Sequence, residues 1–394
     1  MDKMEFTRGN PQEEGPKRVK KKDFRRFWVL GGVALAVVAV VLCAVLWDSA
    51  AFDGLRRSII YAAAEKDETG CAQLYRYAAE KDSVYASLGG SLVQATNRRI
   101  LVLSEDGATR YNADVKFHRA AVTTAGELAA VYDMGGSEIY VLSAAGLVHR
   151  IEAEGEVFAC SLNEKGALAV TLNKSGSKAS VVVYNEKGEK VFGFNSSDRF
   201  LMTSALSADS RRMAAVAMGQ SEGAFLSSLV IYATDSTEPV AECPLPGGAV
   251  YEVAVLDGRW CAVGEDRLHF VTPEGELAAG YDFEGTYLRR CSLQGEDFAV
   301  LLLGRYKSGA QTRLVTVDSE GAQLAVLDVE REVLSITACG KYTAVLYSDE
   351  LVIYNKLLEV CARLEDVSSA HTALMRGDGS AVLVGADAAS LYLP

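Results

Sequence analysis

The pentapeptide Gly219-Gln220-Ser221-Glu222-Gly223 matches G-x-S-x-G, the spacing that sets a serine nucleophile on a strained turn between a strand and a helix. Here both flanks alternate apolar and polar residues and no helical pattern follows. The stretch therefore predicts a flexible hairpin loop. Four histidines, His118, His149, His269 and His371, are dispersed without metal-ligand spacing. Only His118 and His371 fall at matching places, near the starts of two repeated units. Of eight cysteines none forms a C-x-x-C pair, and the odd number beyond Cys43 argues against a complete disulfide framework. Cys160, Cys291 and Cys339 recur at equivalent positions (VFACSL, LRRCSL, ITACG) and read as free, buried thiols. Acidic pairs such as Glu274 and Glu276 sit in hairpin turns, and none faces another across a cleft as glycoside hydrolysis requires. Arg376-Gly377-Asp378 is an adhesion-type tripeptide in a turn that asks for Gly and Asp on conformational grounds. Asn195-Ser196-Ser197 fits a glycosylation acceptor. The sequence thus offers no catalytic residue, metal site or cofactor site, and its expectation is a protein without catalysis.

What remains is recognition. One loop class varies in length from VGEDRLHF and YSDELVIY to LNKSGSKASVVV, AMGQSEGAFLSSLVI and LGRYKSGAQTRLV. Variable loops on a regular scaffold are where binding usually resides. Lys174, Lys178, Arg305, Lys307 and Arg313 are basic residues of these segments, and Phe225 and Tyr306 add aromatic surface. These seven form a candidate binding face for an envelope protein or an anionic cell-wall polymer.

The elements that position them repeat. VVVYNEKGEKVFGF at 181–194 reads as strand, tight turn, strand, and ILVLSEDGATRY, LHFVTPEGELAAGY and LVTVDSEGAQLAV rewrite it. A second turn class carries Gly90, Gly126, Gly166, Gly258, Gly295, Gly340 and Gly379, with Asp209-Ser210 substituting once. Together they define a unit of roughly 40 residues with four short strands, the signature of a β-propeller. First strands start near residues 84, 118, 157, 200, 250, 287, 333 and 370. The expected fold is all-β, a propeller of about eight, alternatively seven, four-stranded blades. The last unit holds only three strands, so a strand from around 74–87 is expected to complete it and close the ring.

The chain has 394 residues. Residues 1–26 carry nine Lys/Arg and five Asp/Glu and read as a disordered basic cytoplasmic tail. Residues 27–47 (FWVLGGVALAVVAVVLCAVLW) are uncharged and long enough to cross a bilayer as one helix, with Trp28 and Trp47 at headgroup level. The preceding cations orient the span with its C-terminal side outward. Residues 48–80 read as a juxtamembrane helix or stalk and 81–394 as an extracytoplasmic propeller. Beyond the span 31 basic and 47 acidic residues remain, a balance of −16 that speaks against nucleic-acid binding.

The stretches LAAVYDMGGSEIYVL (128–142) and SSDRFLMTSALSADSRRMAAVAMGQSEGAFLSSLVIYA (196–233) resemble the Tyr-Asp-x-Gly-Gly hairpin and Ser-x-Asp-Gly turn of a family of unknown function. Its members are membrane-anchored propeller-like proteins of Clostridia-type Firmicutes, and Ser210 stands here where that family has Gly. The likeness runs from the basic tail to the C-terminus and implies topology and location, not activity. More distantly the blades resemble those of quinoprotein and WD40 propellers. The quinoprotein tryptophan docking motif is missing, since Trp260 is the only Trp of the repeats. The Trp-Asp dipeptide is missing from them as well. The expectation is a single-pass membrane protein whose propeller acts as an interaction scaffold or binding module at the cell envelope, with polymer binding or a central-channel enzyme as alternatives.

Overall fold

The computed structural model describes residues 50–62, 64–104, 106–221 and 224–394, together with Gly32, Val37 and Val38. The tail at 1–26 and nearly all of the expected span at 27–47 lie outside the described residues. Among the described residues no helix is long and apolar enough to cross a membrane. The chain divides into two units, Met1–Arg56 and Arg57–Pro394. In the first, the described backbone from Ala50 is helical, the start of helix α1 (Ala50–Ile60).

The second unit is built from eight antiparallel four-stranded sheets. Seven take their strands in chain order: blade 1 (84–114), blade 2 (120–152), blade 3 (156–196), blade 4 (200–245), blade 5 (250–282), blade 6 (287–329) and blade 7 (333–365). Blade 8 takes three strands from 372–392 and its fourth, Cys71–Arg76, from the other end of the domain. The number of blades and their starts follow the repeat read from the sequence. Two differences stand out in the expected 48–80 stalk. Its helix ends at Ile60, and its residues 71–76 belong to the ring. Alternation explains the second: Tyr75 and Tyr77 are buried while Leu74 and Arg76 are exposed, a period of two that pairs with a sheet edge.

First strands of neighbouring blades touch around most of the ring, from blade 1 through blade 5 and from blade 6 through blade 8 back to blade 1, so these strands are innermost. Fourth strands expose every second residue, as Thr109–Asp114 and Leu277–Asp282 do, and form the rim. The core follows from this arrangement. Each middle strand is apolar on both faces, and each face packs against a different neighbour. Ala129 and Val131 meet blade 1, whereas Ala130 and Tyr132 meet blade 3. Eight such clusters fill the eight junctions. Polar links run beside them. Ser335 Oγ accepts the Ala373 amide at 3.0 Å, Thr337 Oγ1 donates to the Ala373 carbonyl at 2.9 Å, and Ser292 Oγ accepts the Ala338 amide at 2.9 Å.

The strand directions sort the connections onto two faces. Turns between first and second and between third and fourth strands lie on one, the turn face. Loops between second and third strands lie on the other with the connections between blades; this is the loop face. Most turns hold a glycine at positive φ, such as Gly166 at 88° and Gly188 at 78°. Ser210 adopts the same conformation at φ 65° and is held there by Asn163, whose Nδ2 donates to Ser210 Oγ at 2.7 Å and to the Ser207 carbonyl at 3.0 Å. Arg57 and Tyr61 fix the start of the domain on the turn face, donating to the carbonyls of Cys361 at 3.0 Å and Asp378 at 2.7 Å.

Tyr75 is 1 % exposed and donates to the Gly90 carbonyl at 2.7 Å, so it locks blade 8 to blade 1. Tyr75→Ala is expected to lower unfolding free energy by about 3–5 kcal/mol, the cost of emptying a large aromatic site. Leu74→Ser, on the exposed side of the same strand, is expected to stay within about 0.5 kcal/mol. Urea unfolding of the two variants checks this. Equal effects would mean that the strand does not close the core.

Candidate binding face

The loop-face side chains are set by a feature of the first strands. In blades 3 to 7 the pairing of first and second strands slips by one residue, between Val157 and Ala159, Leu201 and Thr203, Val250 and Glu252, Leu288 and Arg290, and Val333 and Ser335. Blades 1, 2 and 8 pair there without a slip. A bulge re-aims the extra residue out of the ladder. The residues so released are Phe158, Met202, Tyr251, Arg289 and Leu334. Phe158 is 47 % exposed and Tyr251 43 %.

Exposed large apolar residues of the propeller separate into two sets. Most of the aliphatic ones stand on rim strands, among them Val148, Val191, Val240, Leu277 and Val326. The exposed aromatics, Phe158, Phe200, Phe225, Tyr251, Tyr287 and Tyr306, all belong to first-strand starts or second-to-third loops of blades 3 to 6. They make one arc on the loop face. In blade 4 the strands Arg212–Ser221 and Ala224–Ala233 run ten residues each, and the pairs from Gly219↔Leu226 to Ser221↔Ala224 have no further strand beside them. This ribbon stands above the blade with Phe225 and Leu226 exposed. It also accounts for the G-x-S-x-G match, because Ser221 belongs to a strand of a hairpin and not to a strand–helix elbow.

Of the seven residues singled out in the sequence, six reach the loop face. Lys178 donates to the Asp198 carbonyl at 2.6 Å and lies 5.5 Å from the Phe200 ring centre. Lys307 lies 5.5 Å from the ring of Tyr287, and the Arg305 guanidinium 5.7 Å from that of Tyr306. Such cation–π contacts leave the charge available. Lys174 differs, being neutralised by Glu154 at 3.0 Å. Arg313 is a correction: it lies half-buried in the third strand of blade 6. It is close enough to Tyr281 of blade 5 to offset part of the upward push that burial gives that phenol. The loop cations form two groups, on blades 3 and 6, separated by the short acidic loop Glu265-Asp266 of blade 5. Sequence reading missed Phe158, Phe200, Tyr251, Tyr287 and Arg289, which come outward because of the bulges or as first strand residues, and Arg290, an exposed residue within the first strand of blade 6.

The two matching histidines are not brought together, since blade 1 stands between them. His118 is tied to buried Asp133, whose carboxylate accepts the His118 amide at 2.6 Å and contacts Nδ1 at 3.0 Å. His371 lies 6.1 Å from Tyr85, ring to ring, in an open cleft of about 460 Å³ at the seam of blades 8 and 1. At the centre of the ring Gln294 Nε2 donates to Thr124 Oγ1 at 3.1 Å. Those residues belong to blades 6 and 2, opposite in the ring, so the bond spans its centre near the turn face. Higher in the ring Cys291 donates to Glu252 at 3.6 Å. Enclosure by the blades holds the Glu252 carboxyl above its usual range, with the Cys291 bond opposing, and pushes the Cys291 thiol up to about 12. Cys291 is therefore a thiol at pH 7 and a weak nucleophile. Cys71, Cys160, Cys243, Cys261, Cys291 and Cys339 are free thiols.

An eight-bladed β-propeller closed through its two ends, with its exposed aromatics gathered on one face, is the class of protein that fold and site define. The chain belongs to the DUF5711 family of unknown function, which matches residues 68–357. Similar solved structures include BamB from Moraxella catarrhalis, at 13 % identity, covering 82 % of this chain and 98 % of that one with a TM-score of 0.52. The C-terminal WD40 domain of Sif2 is similar at 10 % identity, 81 % and 97 % coverage and a TM-score of 0.59. The computationally designed protein Ika8 follows at 9 %, 81 % and 98 %, and 0.56. At these identities the likeness is one of fold. No curated protein matches the sequence.

Glu252 gives a pH prediction. Its folded pKa lies above the unfolded one, so the native state holds the proton to higher pH and stability falls as pH rises through that interval. Glu252→Gln removes the slope. The variant is expected to match the parent at about pH 4 and to exceed it in urea midpoint at about pH 7. A parent that is the more stable at neutral pH would show that the ionised carboxylate is instead stabilised in the ring.

Proposed function

We propose that this protein is a membrane-anchored scaffold whose propeller stands outside the cytoplasm and docks a protein partner on the loop face of blades 3 to 6. The observation that carries it is the confinement of all six exposed aromatics to that arc. Aromatic side chains anchor interfaces because they bury large area with few rotors to freeze. Four consecutive blades give the arc breadth beyond a small-molecule pocket, and the blade 4 ribbon gives it relief. Anchoring rests on the uncharged stretch 27–47 and the cations before it. The domain's first residues are fixed to the turn face through Arg57 and Tyr61.

A second reading is supported by the blade 6 cations. Arg305 and Lys307 are exposed and free of ion pairs among the described residues, and an anionic envelope polymer would find them. Polymers of phosphate and polyol offer little to Phe158, Phe200 and Phe225, which have no polar handle, so the protein partner is preferred.

In-cell crosslinking of the tagged full-length chain, against a triple variant Phe158→Ser/Phe200→Ser/Phe225→Ser, tests the docking. Recovery of the partner is expected to fall about tenfold or more, as for central anchors of an interface. Undiminished recovery would overturn the loop-face assignment. Protease added to intact cells is expected to cleave the propeller, and a fully protected propeller would overturn its placement outside.

A further inference from the structure

Blade 6 is electrostatically unlike the rest of the ring. It supplies five cations, Arg289, Arg290, Arg305, Lys307 and Arg313, and among the described residues none has an acidic partner within 4.0 Å. Each other blade has at least one ion-paired cation: Arg99, Arg150, Lys190, Arg212, Arg267, Arg363 and Arg376 in turn for blades 1, 2, 3, 4, 5, 7 and 8. The imbalance has a direction. The acids Glu296, Asp297, Asp318 and Glu320 of blade 6 lie at its turn-face end, while Arg289, Arg290, Arg305 and Lys307 lie toward the loop face. The connecting loop 305–311 (RYKSGAQ) contains no acid. Acids near that end are Glu252, Glu284, Asp328, Glu330 and Glu332, and enclosure shifts the Glu252 carboxyl upward.

Geometry makes this a surface and not a scatter of charges. Arg289, released by the first-strand bulge, donates through Nη1 to the carbonyls of Tyr306 at 3.3 Å and Lys307 at 2.6 Å. It pins the long loop back against the first strand. Tyr287 and Tyr306, 40 % and 57 % exposed, lie under Lys307 and Arg305. The patch therefore has cations, aromatic floors and no ion pair within 4.0 Å among the described residues, in a chain whose residues 48–394 balance to −16. It adjoins the apolar part of the arc on blades 3 to 5.

We propose that the loop face of blade 6 is an acid-recognition site. Its occupant is an acidic peptide segment of the protein partner, whose Asp and Glu side chains pair with Arg290, Arg305 and Lys307. Apolar side chains of the same segment lie on Phe158, Phe200 and Tyr251. Arg289 is a positioning residue that holds the loop. This deepens the docking reading above and rests on it. Long-range attraction between the patch and an acidic segment speeds encounter and selects against basic partners.

The test is selection of random twelve-residue peptides displayed on phage, panned on the full-length chain and on a charge-reversed variant, Arg290→Glu/Arg305→Glu/Lys307→Glu. Arg289 is left in place so that the loop stays anchored, and thermal unfolding confirms that the variant is folded. Peptides enriched on the parent are expected to carry an excess of Asp and Glu beside aromatic or aliphatic residues. Synthetic copies are expected to bind the variant about tenfold or more weakly, and to lose affinity as salt rises. No acidic excess, or acidic peptides that bind the variant equally, would overturn the acid site. If enriched peptides lack acid yet vanish on Phe158→Ser/Phe200→Ser/Phe225→Ser, docking stands and the acid site falls. If no peptide is enriched and soluble polyphosphate binds the parent but not the charge-reversed variant, the site takes an anionic polymer and the peptide assignment is overturned.

Discussion

The antiparallel pairing of Cys71–Arg76 with Ala388–Tyr392 is the contact on which the ring depends. Every blade buries its two faces against neighbours, so no blade has a core of its own. An open array would leave blades 1 and 8 with bare apolar faces and unpaired edges. Register matters as well as contact. Tyr75 lies opposite Ala389 and Leu74 opposite Ser390, which turns the tyrosine into the junction with blade 1 and leaves the leucine on the rim. A slip by one residue would exchange them. The closing strand also ties the two ends of the domain together, so the ring behaves as one cooperative body.

Much of this was legible in the sequence because a propeller repeats its instructions. The Gly-marked hairpins, the interval of about 40 residues and the three-stranded last unit gave the blade count and the means of closure. Conformation explains where the pattern was imperfect. Positive φ sits at Gly89 and not at Gly90, and Ser210 and Leu358 take that conformation without being glycine. Ser210 is compensated by Asn163, and Leu358 by burial in the junction of blades 6 and 7. Neither compensation has a local signature, since Asn163 is 47 residues from its partner.

The candidate binding face was less legible for a related reason. Loops declare themselves by length and composition, and Lys178, Phe225, Arg305, Tyr306 and Lys307 were singled out that way. Bulges do not, because one inserted residue barely disturbs an alternation read over six or seven positions. Phe158 and Tyr251 therefore read as strand interior. Long-range neutralisation was hidden too: the charge of Lys174 is cancelled by Glu154, which belongs to the connection between blades. The sequence shows where charge is present. Only the fold shows where it is left uncancelled.

That distinction bears on how such a scaffold acquires function. Eight similar junctions constrain the inner strands and turns, where a change in volume is felt by two blades at once. The loop-face ends of the first strands escape that constraint, and bulges in blades 3 to 7 add a side chain there without altering the packed faces on either side. Aromatics on blades 3 to 6 and unpaired cations on blade 6 are thus variations that the ring tolerates at little cost. They break its pseudo-symmetry on one side only, which symmetric packing alone would not require. The centre of the ring offers less scope: the Gln294–Thr124 bond crosses it, and Cys291 is held as a thiol. Recognition on the loop face is where this fold has room for chemistry, and there the uncancelled charge and the exposed aromatic area coincide.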